Sequence, residues 1–119
     1  MSNERHPNKP DNILQGTLDL MVLQTLAAMG PLHGYGLARR IEQLSEDAMN
    51  VSQGTIYLCL VRLVQKGWIK AEWGTSENNR RAKFYSISKA GGKQLVAETR
   101  RWERVAGIMA RLLQLGSRG

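Results

Sequence analysis

The sequence has only one cysteine and no long apolar run, and these two features limit the cellular compartments in which the protein is expected. Cys59 has no second cysteine for an intramolecular disulfide, which is typical of proteins of the reducing cytoplasm. No stretch of about eighteen apolar residues occurs, so the sequence predicts no transmembrane helix. Residues 1–12 are polar, lack the apolar stretch of a signal peptide and are expected to form a mobile arm. We therefore expect a cytoplasmic protein that does not enter a membrane.

Residue clusters suited to catalysis or metal binding are also missing from the sequence. His6 and His33 are far apart and Cys59 falls on a predicted buried face, so no metal-ligand spacing arises. His33 is expected to form loop hydrogen bonds, and Cys59 to be a small core residue. The run GYGLAR at 34–39 lacks the third glycine and the preceding strand of a dinucleotide-binding loop. No nucleophile has a plausible base beside it, so we expect no enzyme, no metal and no cofactor.

A basic excess, in contrast, is pronounced. The 119 residues include 17 Lys and Arg against 10 Asp and Glu, which gives a net charge of +7. Residues 48–97 contain eight of the basic residues and two acidic ones. A basic balance suggests nucleic acid, an anionic membrane surface or an acidic partner, with a merely solvated surface as the alternative. Because the charge is concentrated in one window, a binding surface is favoured.

Apolar periodicity predicts three short helices in the first half of the chain. The first spans about 17–29 with Thr17 as its N-cap, and the second spans about 34–45. The third spans about 53–66 and is capped by Ser52. Short links between three such helices are typical of a helix-turn-helix core.

The pattern then changes to alternation. Residues 68–74 and 82–88 alternate as strands do, and Asn78 and Asn79 mark a turn in the polar loop between them. A hairpin directly after the third helix is the wing of a winged helix. The expected fold is therefore mainly α with a two-stranded β wing: a winged helix-turn-helix domain at 13–88.

A long final helix is predicted at about 89–115, capped by Ser88 and followed by a short tail at 116–119. Leu95, Trp102 and Met109 recur every seven residues along it. A second row consists of Val105, Ala106, Leu112 and Leu113. Such a heptad-like seam predicts a partner helix and hence a homodimer, although Glu98 and Thr99 weaken one step.

In a winged helix the third helix enters the major groove with its N-terminal residues near the base edges. Polar groups at that end and cations at the wing suit base and phosphate contacts. The candidate DNA-contacting residues are Tyr35, Ser52, Gln53, Thr55, Tyr57, Arg62, Arg80, Arg81 and Lys83. Alternatives remain: Gln53 and Thr55 only cap the helix, Tyr57 packs against the wing, and the wing arginines solubilise the turn. Arg62 lies two turns into the helix, where a phosphate contact and the absence of one are equally expected.

Three segments together resemble the PadR family of transcriptional regulators: GTLDLMVLQTLAAMGPLHGYGLARRIEQ, VSQGTIY and WGTSENNRRAKFYSISKAG. The resemblance spans about residues 14–115 and is to the shorter subfamily with one C-terminal helix. It implies a bacterial repressor that binds operator DNA as a homodimer through the third helix and the wing. It also implies a dimer interface between the last helix and the first, which places there Leu18, Val22, Leu95, Trp102, Val105, Met109, Leu112 and Leu113.

Some short members of the family bind flat hydrophobic compounds between their subunits through a tryptophan of the last helix. Trp102 occupies a similar place, although a tryptophan in a helical seam is usually packing. One departure concerns Leu58, where family members commonly have proline. Leu58 points an apolar side chain outward, where it would reach a thymine methyl group. The alternative function is a winged-helix module that binds nucleic acid generally or mediates protein interactions.

Overall fold

The computed structural model describes residues 12–46 and 51–118 and has the expected winged-helix fold. Nearly all of the predicted arm lies outside the described residues, as does Gly119 of the tail. The elements in chain order are α1 (Asn12–Met29), β1 (Leu32–His33), α2 (Gly34–Leu44), α3 (Gln53–Gln65), β2 (Ile69–Thr75), β3 (Arg81–Ile87) and α4 (Lys89–Arg118).

The first helix is longer than the sequence predicted. It begins at Asn12, so Thr17 lies inside it and the prediction of Thr17 as N-cap was wrong. Its end was predicted correctly: Gly30 adopts φ +84°, and its N–H donates to Leu26 O at 3.0 Å. A positive φ is accessible to glycine without a steric penalty, which makes Gly30 an effective stop before Pro31.

One apolar core joins α1, α2, α3 and the base of the hairpin. The helix α1 is central to it, because its buried residues point toward several neighbouring elements. Each of the two following helices contributes one apolar stripe at helical spacing. The largest side chains with almost no exposed surface are Val22, Leu23, Leu26, Leu37, Ile56, Leu60 and Leu63.

The wing is part of a three-stranded antiparallel sheet of order β1-β3-β2, not of a two-stranded one. The hairpin register runs from the pair Ile69↔Ile87 to the pair Thr75↔Arg81. The unexpected strand β1 pairs with β3 over two residues, which is too short for any alternation to be visible in the sequence. The predicted turn is present, since Asn79 has φ 61° and its N–H donates to Ser76 O at 2.9 Å.

The start of α4 is held against the turn between α3 and β2. The Ser88 hydroxyl accepts from Gly91 N–H at 3.0 Å and donates to Gly67 O at 2.7 Å, so Ser88 caps the helix as predicted. The Ser88 N–H also donates to Trp68 O at 3.0 Å. A Cβ at Gly91 would overlap that same carbonyl, so glycine is needed for the close approach. The first turn of α4 is thus attached to the domain by these hydrogen bonds and by the close contact at Gly91, which together form the joint at the base of α4.

Candidate nucleic-acid interface

An open groove of about 830 Å³ lies between the wing and the helices α2 and α3. The described residues that line it include one acidic side chain, Glu77, and five basic ones. These basic residues are Arg39, Arg40, Arg80, Arg81 and Lys83. A concave surface with this excess of positive charge attracts a polyanion.

The N-terminal turn of α3 forms one wall of the groove. Ser52 is the N-cap as predicted: its Oγ accepts from Thr55 N–H at 3.1 Å and lies 2.9 Å from Thr55 Oγ1. The hydroxyls of these two residues therefore hold each other at the helix start, as the capping alternative expected. Gln53 is exposed and lines the groove, whereas Thr55 does not line it.

Two exposed tyrosines, Tyr35 of α2 and Tyr57 of α3, also line the groove. Tyr85 of the wing lies at its floor and is buried. Burial raises the pKa of Tyr85 and the nearby Tyr57 raises it further, so the Tyr85 phenol stays protonated. The structure thus brings two of the predicted hydroxyl donors to the same surface as the wing cations.

His33 lines the groove and immediately precedes the first residue of α2. The His33 Nδ1 accepts from Gly36 N–H at 3.0 Å, so this side chain is the N-cap of α2. Its ring also meets the edge of Phe84 with ring centroids 5.4 Å apart, which ties α2 to the wing. His33 thus forms a side-chain hydrogen bond as predicted, but from strand β1 and as a helix cap, not from a loop.

Sequence reasoning did not assign Arg39 and Arg40 to the site, although both line the groove. The signal was present as a basic pair opposite the apolar stripe of α2. Such a pair is usually a solvated face, and only the approach of the wing turns it into part of a binding surface.

The wing supplies the cations that were predicted there. Arg80, Arg81 and Lys83 are exposed and line the groove together. The Arg81 guanidinium carbon lies 4.7 Å from the centre of the Trp73 ring, and the Lys83 Nζ lies 5.6 Å from it. The distances are within the range of cation–π interactions.

The structure places Arg62 in an ion pair apart from the groove, and its contact with DNA stays a prediction. One guanidinium nitrogen of Arg62 is 2.6 Å from Asp19 Oδ1 on α1, and Arg62 does not line the groove. Burial lowers the pKa of Arg62, but the hydrogen bond and the charge of Asp19 outweigh this and raise it. Arg62 of α3 thus forms an ion pair that links α3 to α1. The 43-residue separation of this pair leaves no local pattern from which to predict it.

Cys59 is fully buried beside this ion pair, as expected of a small core residue. Its thiol donates to the same Asp19 oxygen at 3.1 Å. Burial, reinforced by the Asp19 carboxylate, raises the pKa of the Cys59 thiol well above its usual range. The thiol is consequently neutral and shielded, and it is not a reactive group.

The far part of α4 has an apolar face that none of the residues described in the structure covers. Leu95 packs against the core, but the later members of the predicted seam are exposed. The exposed apolar residues of α4 are Val96, Trp102, Val105, Ile108, Met109, Leu112, Leu113 and Leu115, at 42–67% exposure. Ile108 was missed, although it is three residues after Val105 and four before Leu112 and so shares their face. The residues of the predicted dimer interface that keep free surface are therefore Trp102, Val105, Met109, Leu112 and Leu113.

Two residues predicted for the dimer interface belong to the core of the chain. Leu18 is 6% exposed and Val22 is 0% exposed, so neither has surface to offer a second copy. Glu98, which interrupts the seam, has its hydrogen-bond and ion-pair partners within α4. Its carboxylate accepts from Gln94 Nε2 at 2.7 Å and from an Arg101 nitrogen at 3.0 Å.

Over residues 12–46 and 51–118, no helix is long and apolar enough to cross a membrane. Within the same ranges, no group of three or more His, Cys, Asp or Glu side chains is placed to hold a metal ion.

Comparison with known proteins finds one matching family model and several solved structures with a similar fold. The family model described as the transcriptional regulator PadR-like family matches residues 22–97. A transcriptional regulator from Clostridium thermocellum has 24% identity and a TM-score of 0.75, over 85% of this chain and 97% of that one. A PadR-like transcriptional regulator from Bacillus cereus has 26% identity and a TM-score of 0.74, over 87% of this chain and 98% of that one. A curated relative from Lysinibacillus sphaericus, described as "Uncharacterized protein X", is 24% identical over 98 residues, covering 82% of this chain and 89% of that protein.

Proposed function

Because the chain belongs to the PadR-like family of transcriptional regulators, which bind DNA through a winged helix, we propose that it represses transcription from an inverted-repeat operator as a cytoplasmic homodimer. The observation that carries the proposal is the basic groove between α3 and the wing. Five cations and one acid around one concavity match the charge of a DNA backbone.

In this proposal the first turns of α3 enter the major groove, with Gln53 toward base edges and Tyr57 toward a phosphate. Leu58 is 63% exposed on α3, and in this proposal it makes apolar contact with a thymine methyl group. The wing cations contact phosphates or enter the adjacent minor groove. Arg39 and Arg40 of α2 add phosphate contacts on the opposite wall.

The homodimer is proposed to form through the exposed apolar face of α4. A row of large apolar side chains on one face of a helix is rarely left in water. Pairing two copies buries Trp102, Met109 and Leu112 at heptad spacing. The two recognition helices then sit about one DNA turn apart, roughly 34 Å, which calls for an inverted repeat.

Release by a small, planar, hydrophobic effector is proposed to occur at Trp102. The indole is about half exposed in the single chain and lies within the row that the second copy covers. A flat apolar compound inserted between two such rings would change how the α4 helices meet. Binding of the compound to the dimer is measured by quenching of tryptophan fluorescence, with Trp102→Phe as the control.

The decisive experiment compares operator with random DNA. We expect the protein to prefer the promoter of its own or a neighbouring gene by roughly a thousandfold over random duplex. We also expect the affinity to fall steeply with salt, since phosphate contacts release counterions. Fluorescence anisotropy with labelled duplexes measures both. Equal affinity for the two duplexes would contradict the proposal and leave a general nucleic-acid-binding or protein-interaction module.

A further inference from the structure

The wing contains an aromatic side chain that the DNA contacts proposed above do not use. Trp73 of β2 is 59% exposed and has no place in the apolar core. A large indole on a short hairpin exposes apolar area that solvates poorly. The side chains that contact its ring therefore indicate which role this tryptophan has in the wing.

The strand register places two cations against Trp73. Lys83 is directly opposite Trp73 in the β2–β3 pairing, and Arg81 is two residues before Lys83 on β3, on the same face. Directly opposite and diagonal neighbours are both within reach of an aromatic ring. The observed distances of 4.7 Å for Arg81 and 5.6 Å for Lys83 confirm that both approach one ring.

The three side chains differ in their relation to the groove. Arg81 and Lys83 line it, whereas Trp73 does not. Across residues 12–46 and 51–118, no salt bridge includes Arg81 or Lys83, so no carboxylate competes with a phosphate for either. The ring therefore contacts two side chains that line the groove without lining it itself.

We propose that Trp73 is a positioning residue that holds Arg81 and Lys83 ready for phosphates in the groove. The proposal rests on the DNA-binding function proposed above. Long cationic side chains lose considerable rotamer freedom when they bind, and ordering them beforehand reduces that cost. A guanidinium stacked on an indole keeps its N–H edge free for the two oxygens of a phosphate. The negative face of the ring also offsets the repulsion between two neighbouring cations.

A double-mutant cycle tests the proposal on the dimer and its operator. Trp73→Leu is expected to weaken binding about two- to fivefold, which corresponds to an exposed cation–π interaction. The same change should have almost no effect in a protein that already carries Arg81→Ala and Lys83→Ala. It should keep its full effect beside Arg80→Ala, because Arg80 does not lie over the ring. Trp73→Phe should recover part of the affinity, since phenylalanine keeps an aromatic face.

A second measurement needs no DNA. In the free protein the ring current of Trp73 should shift the Arg81 Hδ and Lys83 Hε NMR signals upfield. Trp73→Leu should remove these shifts and Trp73→Phe should retain part of them, with the melting temperature nearly unchanged. Absent shifts in the wild-type protein would overturn the positioning role of Trp73 regardless of how DNA binds.

Two further outcomes would also contradict the proposal. An undiminished penalty of Trp73→Leu in the Arg81→Ala, Lys83→Ala background would mean that the ring itself touches DNA. Tighter binding by Trp73→Leu would mean that the ring withholds the cations from DNA. Wild-type protein that binds no duplex at all would overturn the proposed function itself, and it is distinguished from these cases by the unaltered NMR shifts.

Discussion

The winged-helix domain and the far part of α4 are built from the same apolar periodicity, yet they leave their apolar side chains in opposite environments. In the domain, residues such as Leu26 and Leu63 are at most 1% exposed. Beyond Leu95, side chains of the same kind are 42–67% exposed. The first set is enclosed by its own chain, whereas no part of residues 12–46 and 51–118 covers the second. Periodicity thus indicates which face is apolar, but not which chain covers it.

The largest expected effect comes from the exposed region. Met109→Glu should dissociate the proposed dimer, because burying an unpaired carboxylate in an apolar seam costs several kcal/mol. The fold of each protomer should survive, since Met109 is exposed within its own chain. Light scattering measures the mass and circular dichroism the helix content. Ala110→Glu, one residue farther and off the seam, is the control and should remain dimeric. A dimeric Met109→Glu would place the interface elsewhere.

The next effect comes from the enclosed region. Leu63→Ala should lower the free energy of unfolding by about 2–5 kcal/mol, since it opens a cavity at a fully buried position. Urea unfolding at a fixed protein concentration measures it. Leu58→Ala on the exposed side of the same helix is the matched control, with an expected change within about 0.5 kcal/mol. Similar losses for the two variants would contradict the contrast in burial.

A third prediction concerns the wing, where charge rather than apolar area acts. Arg80→Ala combined with Arg81→Ala should weaken binding to operator and to random duplex alike. The slope of log affinity against log salt should fall by about one for each phosphate interaction that the two substitutions remove. Anisotropy titrations at several salt concentrations measure it. Arg100→Ala on α4, outside the groove, should leave the slope unchanged, and an unchanged slope in the wing variant would remove the wing from the interface.

The effect that is smallest near neutral pH lies inside the domain, at Cys59. Its raised pKa in the folded state means that the unfolded chain releases this proton first as the pH rises. The contribution of the thiol is therefore complete at pH 7 and is lost above about pH 8.5, by at most about 1.4 kcal/mol per pH unit. Urea unfolding of the wild type and of Cys59→Ala from pH 7 to pH 10 measures the difference. Parallel pH profiles would contradict the environment described for Cys59.

The sequence was a good guide where a signal is local. The caps Ser52 and Ser88, the stop at Gly30 and the turn at Asn79 follow from backbone geometry that a few neighbouring residues determine. The wing cations were recognised as one cluster because they lie within a few positions of one turn, and the structure brings them together at the groove.

What the sequence did not predict depends on distant contacts. The ion pair of Asp19 with Arg62 and the pairing of β1 with β3 join segments that have no common pattern. The burial of Val22 has the same origin, since a residue of a central helix has apolar neighbours on more than one side. Arg39 became part of the groove only because the wing folds opposite it.

The joint at Ser88 and Gly91 has a mechanical consequence. Since a carbonyl of the preceding turn fills the space beside Gly91, α4 cannot roll or slide at its base without moving α3. A helix of 30 residues is a lever of about 45 Å, and a tilt of about 5° at its base swings the far end by about 4 Å. If two such helices meet in the proposed dimer, small changes at their contact are transmitted to the distance between the two recognition helices. In the proposed dimer, the stiffness of this one serine–glycine corner would set the tolerance for the spacing of the two DNA half-sites.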